Sequence, residues 1–434
     1  MDPKTGLNWG NTAWMLAATA LVLLMTPGLA FFYGGMVRAK NVLAMLMQNF
    51  ICMGIVSVLW VVDLFSIAFG PDKLGGFIGD AATYFGLRHG GDLWSSGNGV
   101  PTTVIAAFQI TFAIITAALI TGASADRLRF GPFLVFVTVW SILVYAPIAH
   151  WVWGNGWLAQ HSVEDFAGGT VVHINAGAAG VALTLVLGKR IGWPKERMRP
   201  HNVPFVLLGA GLLWFGWLGF NAGSEGAADQ IAGFALINTI VATAAAMLGW
   251  LVVERIRDGR PTTLGAASGL VAGLVAITPA CAFVSPLGAI AVGVAAGVIC
   301  ALAVSLKFKA RIDDSLDVFA VHLVGGVVGA LSIGFLGDAA INGNGHDGLF
   351  YGGGFLQLGR QAMGVGAVLA YDFVLTLIIA KVIDLIMGLR VSRDVELEGL
   401  DINLHAESAY DFGAPATHAS VPAVVTTSRA KVDA

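Results

Sequence analysis

Eleven apolar runs, each about 20 residues long and parted by short polar stretches, take up most of this 434-residue chain. They fall near 10–33, 41–69, 101–124, 131–153, 165–188, 202–220, 231–255, 262–282, 285–306, 314–337 and 361–389. A run of that length matches the hydrocarbon thickness of a bilayer. Only 12% of residues are charged, about half the share usual in a soluble domain. The pattern predicts an all-α integral membrane protein of eleven transmembrane helices. Residues 1–390 form one membrane domain, and the polar segment 391–434 forms a tail. The 57 glycines suit helices that approach closely in lipid. A net charge of −3 implies no nucleic-acid partner, and membrane lipid is the expected surrounding medium. Cys52, Cys281 and Cys300 sit in apolar runs without metal-ligand spacing and read as packing residues.

The basic residues orient the chain. Arg38, Lys40, Arg127, Arg129, Lys189, Arg190, Lys195, Arg197, Arg199, Arg255, Arg257, Arg260, Lys307, Lys309 and Arg311 lie in one set of alternate loops. Arg390, Arg393, Arg429 and Lys431 of the tail join that side, whereas the other side holds Lys4, Lys73, Arg88 and Arg360. By the positive-inside rule the N-terminus is outside and the C-terminus cytoplasmic, which in a bacterium means the inner membrane. The opening MDPKTGLNWGNTAWML lacks a basic leader region, so the first run reads as a retained span. If spans 1–5 and 6–10 are repeats, an odd number of spans inverts the second unit, and a transport site is expected at their interface.

Two histidines reinforce that duplication. His173 lies in DFAGGTVVHINAGAAG and His322 in DDSLDVFAVHLVGGVVGAL; Asp165 and Asp314 precede them by eight residues each. An ionisable side chain within a span is costly and marks a pathway or relay by default. Neither histidine has a second ligand at helical spacing, so the reading is a pore or proton role with no metal and no cofactor. Packing alone is the plain alternative.

Aromatic residues gather at the outer ends of the spans. Phe108 and Phe112 share a helix face, Trp151 and Trp153 lie in HWVWGNG, and Trp217, Phe220 and Ser224 lie in WFGWLGFNAGS. Interfacial belts explain many tryptophans. Aromatic faces beside a hydroxyl acceptor also suit a small desolvated cation, through cation–π attraction of about 2 kcal/mol or more. Asp165 either caps the fifth span or holds negative potential near such a cation, and the two roles are compatible. Gly343 to Gly348 matches GxGxxG but follows no strand, so it is a chance match. The pairs Gly269/Gly273, Gly293/Gly297 and Gly325/Gly329 read as close-packing faces.

PGLAFFYGGMVRAKNVL, FQITF, DFAGGTVVHINAG, GWLGFNAGS, ITPAC, DVFAVHLVGG and EGLDINLHAESAY occur in order along nearly the whole chain. In these blocks the chain resembles the ammonium transporter, methylammonium permease and Rhesus family. The resemblance implies a homotrimer with one central pore per subunit, conducting ammonium or ammonia and also methylammonium. It implies that Phe108, Trp153 and Ser224 recruit ammonium, that Phe112 and Phe220 form a gate, and that His173 and His322 line the pore. By the same resemblance Asp165 is the essential acidic residue, Trp217 and Thr278 are lining positions, and Glu396, Gly399 and Asp401 couple the tail to the subunits. A PII-type signal-transduction protein is the implied partner on the cytoplasmic face. Glu225 departs from the expected pattern, since it puts a carboxyl group where a small residue is usual.

The expected mechanism is recruitment outside, proton loss near the gate, and passage of ammonia along the histidine pair with a separate proton relay. A bare potassium ion cannot shed its charge and faces the full Born penalty. Two competing readings are a sensor signalling through its tail and an electroneutral channel for ammonia or carbon dioxide. An enzyme would need a nucleophile or metal constellation that the sequence does not display.

Overall fold

The computed structural model describes residue 2, residues 4–196 and residues 198–410. Arg197 and the tail beyond 410, with Arg429 and Lys431, lie outside the described residues. The described residues are mainly helical, and the longest irregular connection, 70–101, holds a small hairpin pairing Asp72–Lys73 with Ile78–Gly79. Ten helices among the described residues are long and apolar enough to cross a membrane. In chain order they are α1 (Trp9–Met36), α2 (Ala39–Phe69), α3 (Thr102–Ser124), α4 (Phe130–Gln160), α5 (Gly169–Leu187), α6 (Val203–Gly223) and α7 (Gln230–Arg257). After the shorter α8 (Thr263–Ile277) come α9 (Pro286–Ala310), α10 (Phe319–Leu336) and α11 (Leu356–Met387).

The apolar run 262–282 is thus helical over only part of its length. At 15 residues, α8 rises roughly 22 Å, short of a bilayer core of about 30 Å. Pro279 supplies the reason: it lacks an N–H and disfavours helical geometry at the residue before it. Thr278 still closes a turn by donating its N–H to the Val275 carbonyl (3.3 Å), and the chain then continues in turns to Val284. Two other runs start later than their hydropathy suggests. The fifth begins helix at Gly169 rather than 165, behind Gly168 at φ 118°. The tenth begins at Phe319 rather than 314, behind Asp317 at φ 62°.

Small residues let the helices meet at backbone distance. On α1 and α6, a Cβ added at Gly209 would stand 2.3 Å from the Phe32 nitrogen, and one at Gly216 would stand 2.3 Å from Met25 Cγ. On α9, a Cβ at Gly293 or Gly297 would reach within 2.2 Å of the Ala242 or Ala246 carbonyl of α7. Lipid offers no hydrophobic drive between helices, so such dispersion contacts hold them together. The glycine pairs read from sequence serve in this way: Gly269 abuts Trp250 and Gly273 abuts Ala246.

Four spans contain a π-helical turn: Trp60–Leu64 in α2, Ser141–Tyr145 in α4, Gly169–Ile174 in α5 and Phe319–Leu323 in α10. Such turns are rare and gather at functional sites. Two of the four carry His173 and His322.

Candidate functional site

The histidine helices cross on glycine. A Cβ added at Gly177 of α5 would lie 2.6 Å from Leu323 Cβ, and one at Gly326 of α10 would lie 3.2 Å from His173 Cβ. This approach sets the imidazoles edge to edge and nearly coplanar, with ring centroids 5.5 Å apart, planes 22° apart, and Nδ1 to Nδ1 3.4 Å. A single proton between two Nδ1 atoms forces complementary tautomers: one ring donates and the other accepts. Both rings are buried, and His173 Nε2 has no hydrogen-bond partner among the described residues. The rings border an apolar cavity of about 10 Å³ whose walls include Leu29, Ile115, Leu119, Leu213 and Val271. That is roughly the room one water molecule needs.

Trp217 stacks on His173 at 5.4 Å and 19° and donates its indole N–H to Thr278 Oγ1 at 2.8 Å. The Thr278 at which α8 breaks therefore anchors a wall of the cavity. Beside the histidines, Phe112 and Phe220 stack with centroids 4.0 Å apart, and the Phe220 ring lies 6.4 Å from that of His173. Phe108 sits 4.9 Å from Phe112, and Trp153 meets Phe112 edge-on at 5.7 Å. Beyond them opens a vestibule of about 600 Å³ lined by Phe108, Trp153, Ser224, Glu225, Gln109 and Asn344, among others. The three residues implied for ammonium recruitment thus share one mouth. Ser224 donates its hydroxyl to the Phe220 carbonyl at 2.8 Å, leaving its oxygen lone pairs to accept.

Asp165 does not face the vestibule as a free charge. Its carboxylate accepts the N–H groups of Gly168 (2.8 Å), Gly169 (2.6 Å), Thr170 (2.7 Å) and Val171 (3.3 Å), and the Thr170 hydroxyl. It satisfies the orphan donors that open the α5 turn bearing His173. Its own carbonyl accepts the Trp153 indole N–H at 2.9 Å, tying the same segment to the vestibule wall. Just before α10, Asp314 plays the matching part, accepting the Phe319 N–H at 2.7 Å. Lying outside the spans, it is pushed up to about 6 by burial, with Lys307 pulling it down and Asp317 adding to the rise.

Glu225 departs from the fully charged carboxylate that its position suggests. Burial first, and then the charge and hydrogen bond of Asp229, push it up to about 7. Asp229 is itself engaged, accepting the Ile231 and Ala232 N–H groups at the start of α7.

The three tail positions contact the membrane domain. Glu396, on the short helix α12 (Arg393–Glu398), accepts the Ile191 N–H at 2.6 Å and pairs with Arg390 at 2.7 Å. Gly399 has φ 132°, and a Cβ there would lie 2.8 Å from Lys40 Cβ. Asp401 accepts the N–H groups of Leu43 (3.0 Å) and Ala44 (2.9 Å), capping α2 from the far end of the chain.

Sequence reasoning missed two clusters. In the first, which is buried, Arg190 forks onto Asp313 at 2.8 and 3.0 Å and reaches Asp126 at 3.4 Å, while Arg127 donates to the Ala123, Ala125, Gly188 and Asp313 carbonyls. Burial raises Asp313, but the Arg190 guanidinium wins and holds it below the usual carboxylate range. In the second, Gln361 of α11 and His346 of the 338–354 loop both hold Glu164. The readable signal was Gln361, a polar residue in an apolar run; the contact partners carry none.

Stacked phenyl rings over an apolar cavity bordered by paired imidazoles, set among helices long and apolar enough to cross a bilayer, define a class of membrane protein with a narrow apolar interior. The family model described as the Ammonium Transporter Family matches residues 13–410. An ammonium transporter of Mycobacterium tuberculosis is 56% identical, with 93% of this chain and 90% of that protein covered. One from Bacillus subtilis is 45% identical over 93% of this chain and 99% of its own length. Among solved structures, Saccharomyces cerevisiae Mep2 is 36% identical with TM-score 0.83, covering 91% of this chain and 90% of that one. A sensor Amt protein is 30% identical with TM-score 0.83, covering 91% and 98%. The chain belongs to the ammonium transporter family. It is a multi-pass membrane transporter of ammonium and not an enzyme.

Proposed function

We propose that the chain recruits ammonium at Phe108, Trp153 and Ser224, strips its proton near the Phe112–Phe220 gate, and conducts ammonia along His173 and His322. The observation that carries this reading is the cavity beside the imidazole pair, apolar and about 10 Å³ in size. A desolvated cation there meets a large Born penalty with no counter-charge, whereas neutral ammonia meets none. The separated proton enters at Nε2 of the ring that donates, that ring's Nδ1 proton passes to the accepting Nδ1, and the accepting ring releases its own Nε2 proton, so both rings end in exchanged tautomers. Trp217 and Thr278 keep the His173 ring in plane, and Asp165 fixes the turn that presents it.

The reading includes eleven crossings, with α8 completed by the turns to Val284, and inverted repeats of α1–α5 and α6–α10 around the pore. It is supported by the matching Asp–His turns of α5 and α10 and by the close glycine pairing of α1 with α6, the first helices of each half. Basic loops put the N-terminus outside and the C-terminus in the cytoplasm at the inner membrane. We assign a membrane domain of residues 1–390 and a regulatory tail of 391–434. The functional unit is a homotrimer whose cytoplasmic face, with Glu396, Gly399 and Asp401, receives a PII-type protein.

The test is an ammonium jump on reconstituted liposomes. Current saturating with ammonium and absent with potassium is expected, with methylammonium carried more slowly. Ammonia flux without current would replace this reading by the electroneutral channel. Ammonium binding without flux would replace it by the sensor.

A further inference from the structure

The outer segment that carries Asp165 is held by two ties of different kinds. Gln361 of α11 grips the backbone of Glu164 on both sides: its Oε1 accepts the Glu164 N–H at 2.8 Å and its Nε2 donates to the Glu164 carbonyl at 2.7 Å. This tie involves no titrating group. The Glu164 side chain is gripped separately by His346, whose backbone N–H and Nδ1 both meet Oε1, at 2.8 and 2.6 Å. Glu164 Oε2 is buried without a partner among the described residues. The His346 side chain is 44% exposed while that of Glu164 is 7% exposed, so protons from outside reach the imidazole. The loop bearing His346 also sends Asn344 into the vestibule wall.

We propose that Glu164 and His346 form an externally addressed latch that positions Asp165 and so makes ammonium conduction depend on outside pH. The inference rests on the conduction reading above. Glu164 is a positioning residue, adjacent to Asp165 in the chain and touching neither gate nor pore. Histidine is the side chain whose charge ordinarily changes between pH 5 and 8. When His346 is charged, the contact is an ion pair; when neutral, a hydrogen bond. Burial pushes the Glu164 carboxyl up, and the His346 contact pulls it back. Arg360 of α11 also lowers Glu164, Asp165 adjoins it, and Asp347 adjoins His346; Asp347 is occupied in accepting the Ala339 N–H. Because the Gln361 tie persists in either state, the loss of charge shifts the segment rather than unfolding it. The latch is tighter at acid outside pH.

The experiment uses full-length transporter in liposomes, with ammonium-driven current read at outside pH 5.5 and 7.5. His346→Asn keeps an N–H donor near the Nδ1 position without titrating. It is expected to match wild type at pH 7.5 within a factor of about 1.5 and to fall about threefold below it at pH 5.5, the scale of a partly exposed ion pair. Glu164→Gln should show the same loss at pH 5.5, and the double variant should lose no more than either single one. A wild-type pH profile in His346→Asn overturns the latch, as does an equal loss at both pH values. Asp165→Ala, run alongside, separates the two claims. If it conducts normally the underlying reading fails; if it is silent while His346→Asn keeps the wild-type profile, the latch alone fails.

Discussion

Replacing Glu225 with glutamine removes a carboxyl group from the vestibule while keeping its shape. Burial and Asp229 push this group up to about 7, so its ionised share is about one tenth at pH 6 and about nine tenths at pH 8. Unit charges roughly 8 Å apart at an effective dielectric near 20 attract by about 2 kcal/mol. Screening across one Debye length of about 8 Å leaves about 0.8 kcal/mol at physiological salt, or roughly fourfold in affinity. Half-saturation by ammonium should therefore rise about fourfold in Glu225→Gln at pH 8, further at low salt, and barely at pH 6, with maximal current unchanged. The sign of the stability effect follows from the same shift. A carboxyl raised in the folded state contributes stability that is complete below its unfolded value of 4.5 and is lost as pH rises through about 7. The variant should accordingly melt higher than wild type at pH 8 and level with it at pH 4.5. The assay is a current titration on proteoliposomes at both pH values and two ionic strengths. Equal half-saturation in variant and wild type at pH 8 and low salt would refute the reasoning, as would the same shift at pH 6.

Three further changes probe the core of the site. His173→Ala should abolish ammonium current or admit potassium, whereas His322→Glu should be milder because a carboxyl group can still pass a proton; ion-substitution currents decide between these outcomes. Asp165→Ala should silence transport and lower thermal stability by about 1–2 kcal/mol, the usual cost of a lost helix cap; Asp165→Asn, which keeps one acceptor oxygen, should lose less of both in melting and flux measurements. Deleting residues 391–434 should reduce current and PII binding while leaving the membrane fold intact, as judged by circular dichroism and by currents normalised to assembled protein.

Hydropathy made the spans legible because a bilayer demands length and apolarity, and both are written in composition. The histidines stood out for the same reason: polar groups in apolar runs are conspicuous. Helix ends were less readable. The run 262–282 stays apolar through its break at Thr278–Pro279, so hydropathy passes over a change that backbone geometry forces. The π-helical turns around His173 and His322 change hydrogen-bond register without changing residue type, and no composition signal marks them. Glu164 and His346 lie 182 positions apart and meet only once the loop folds back. Glu225 was visible as a carboxyl group, but its proton affinity depends on burial and on Asp229, which are properties of the fold. Asp401 was recognisable by resemblance; that it serves a helix some 360 residues away was not.

That cap ties two distant parts of the chain into one equilibrium. The first turn of the regular helix beginning at Val42 owes two of its orphan amides to Asp401, and the docked tail owes Asp401's desolvation to those same amides. Whatever lifts the tail therefore frays the start of α2, and whatever frays α2 releases the tail, by equal free energies in both directions. A ligand that reads the tail is in effect reading the length of a transmembrane helix.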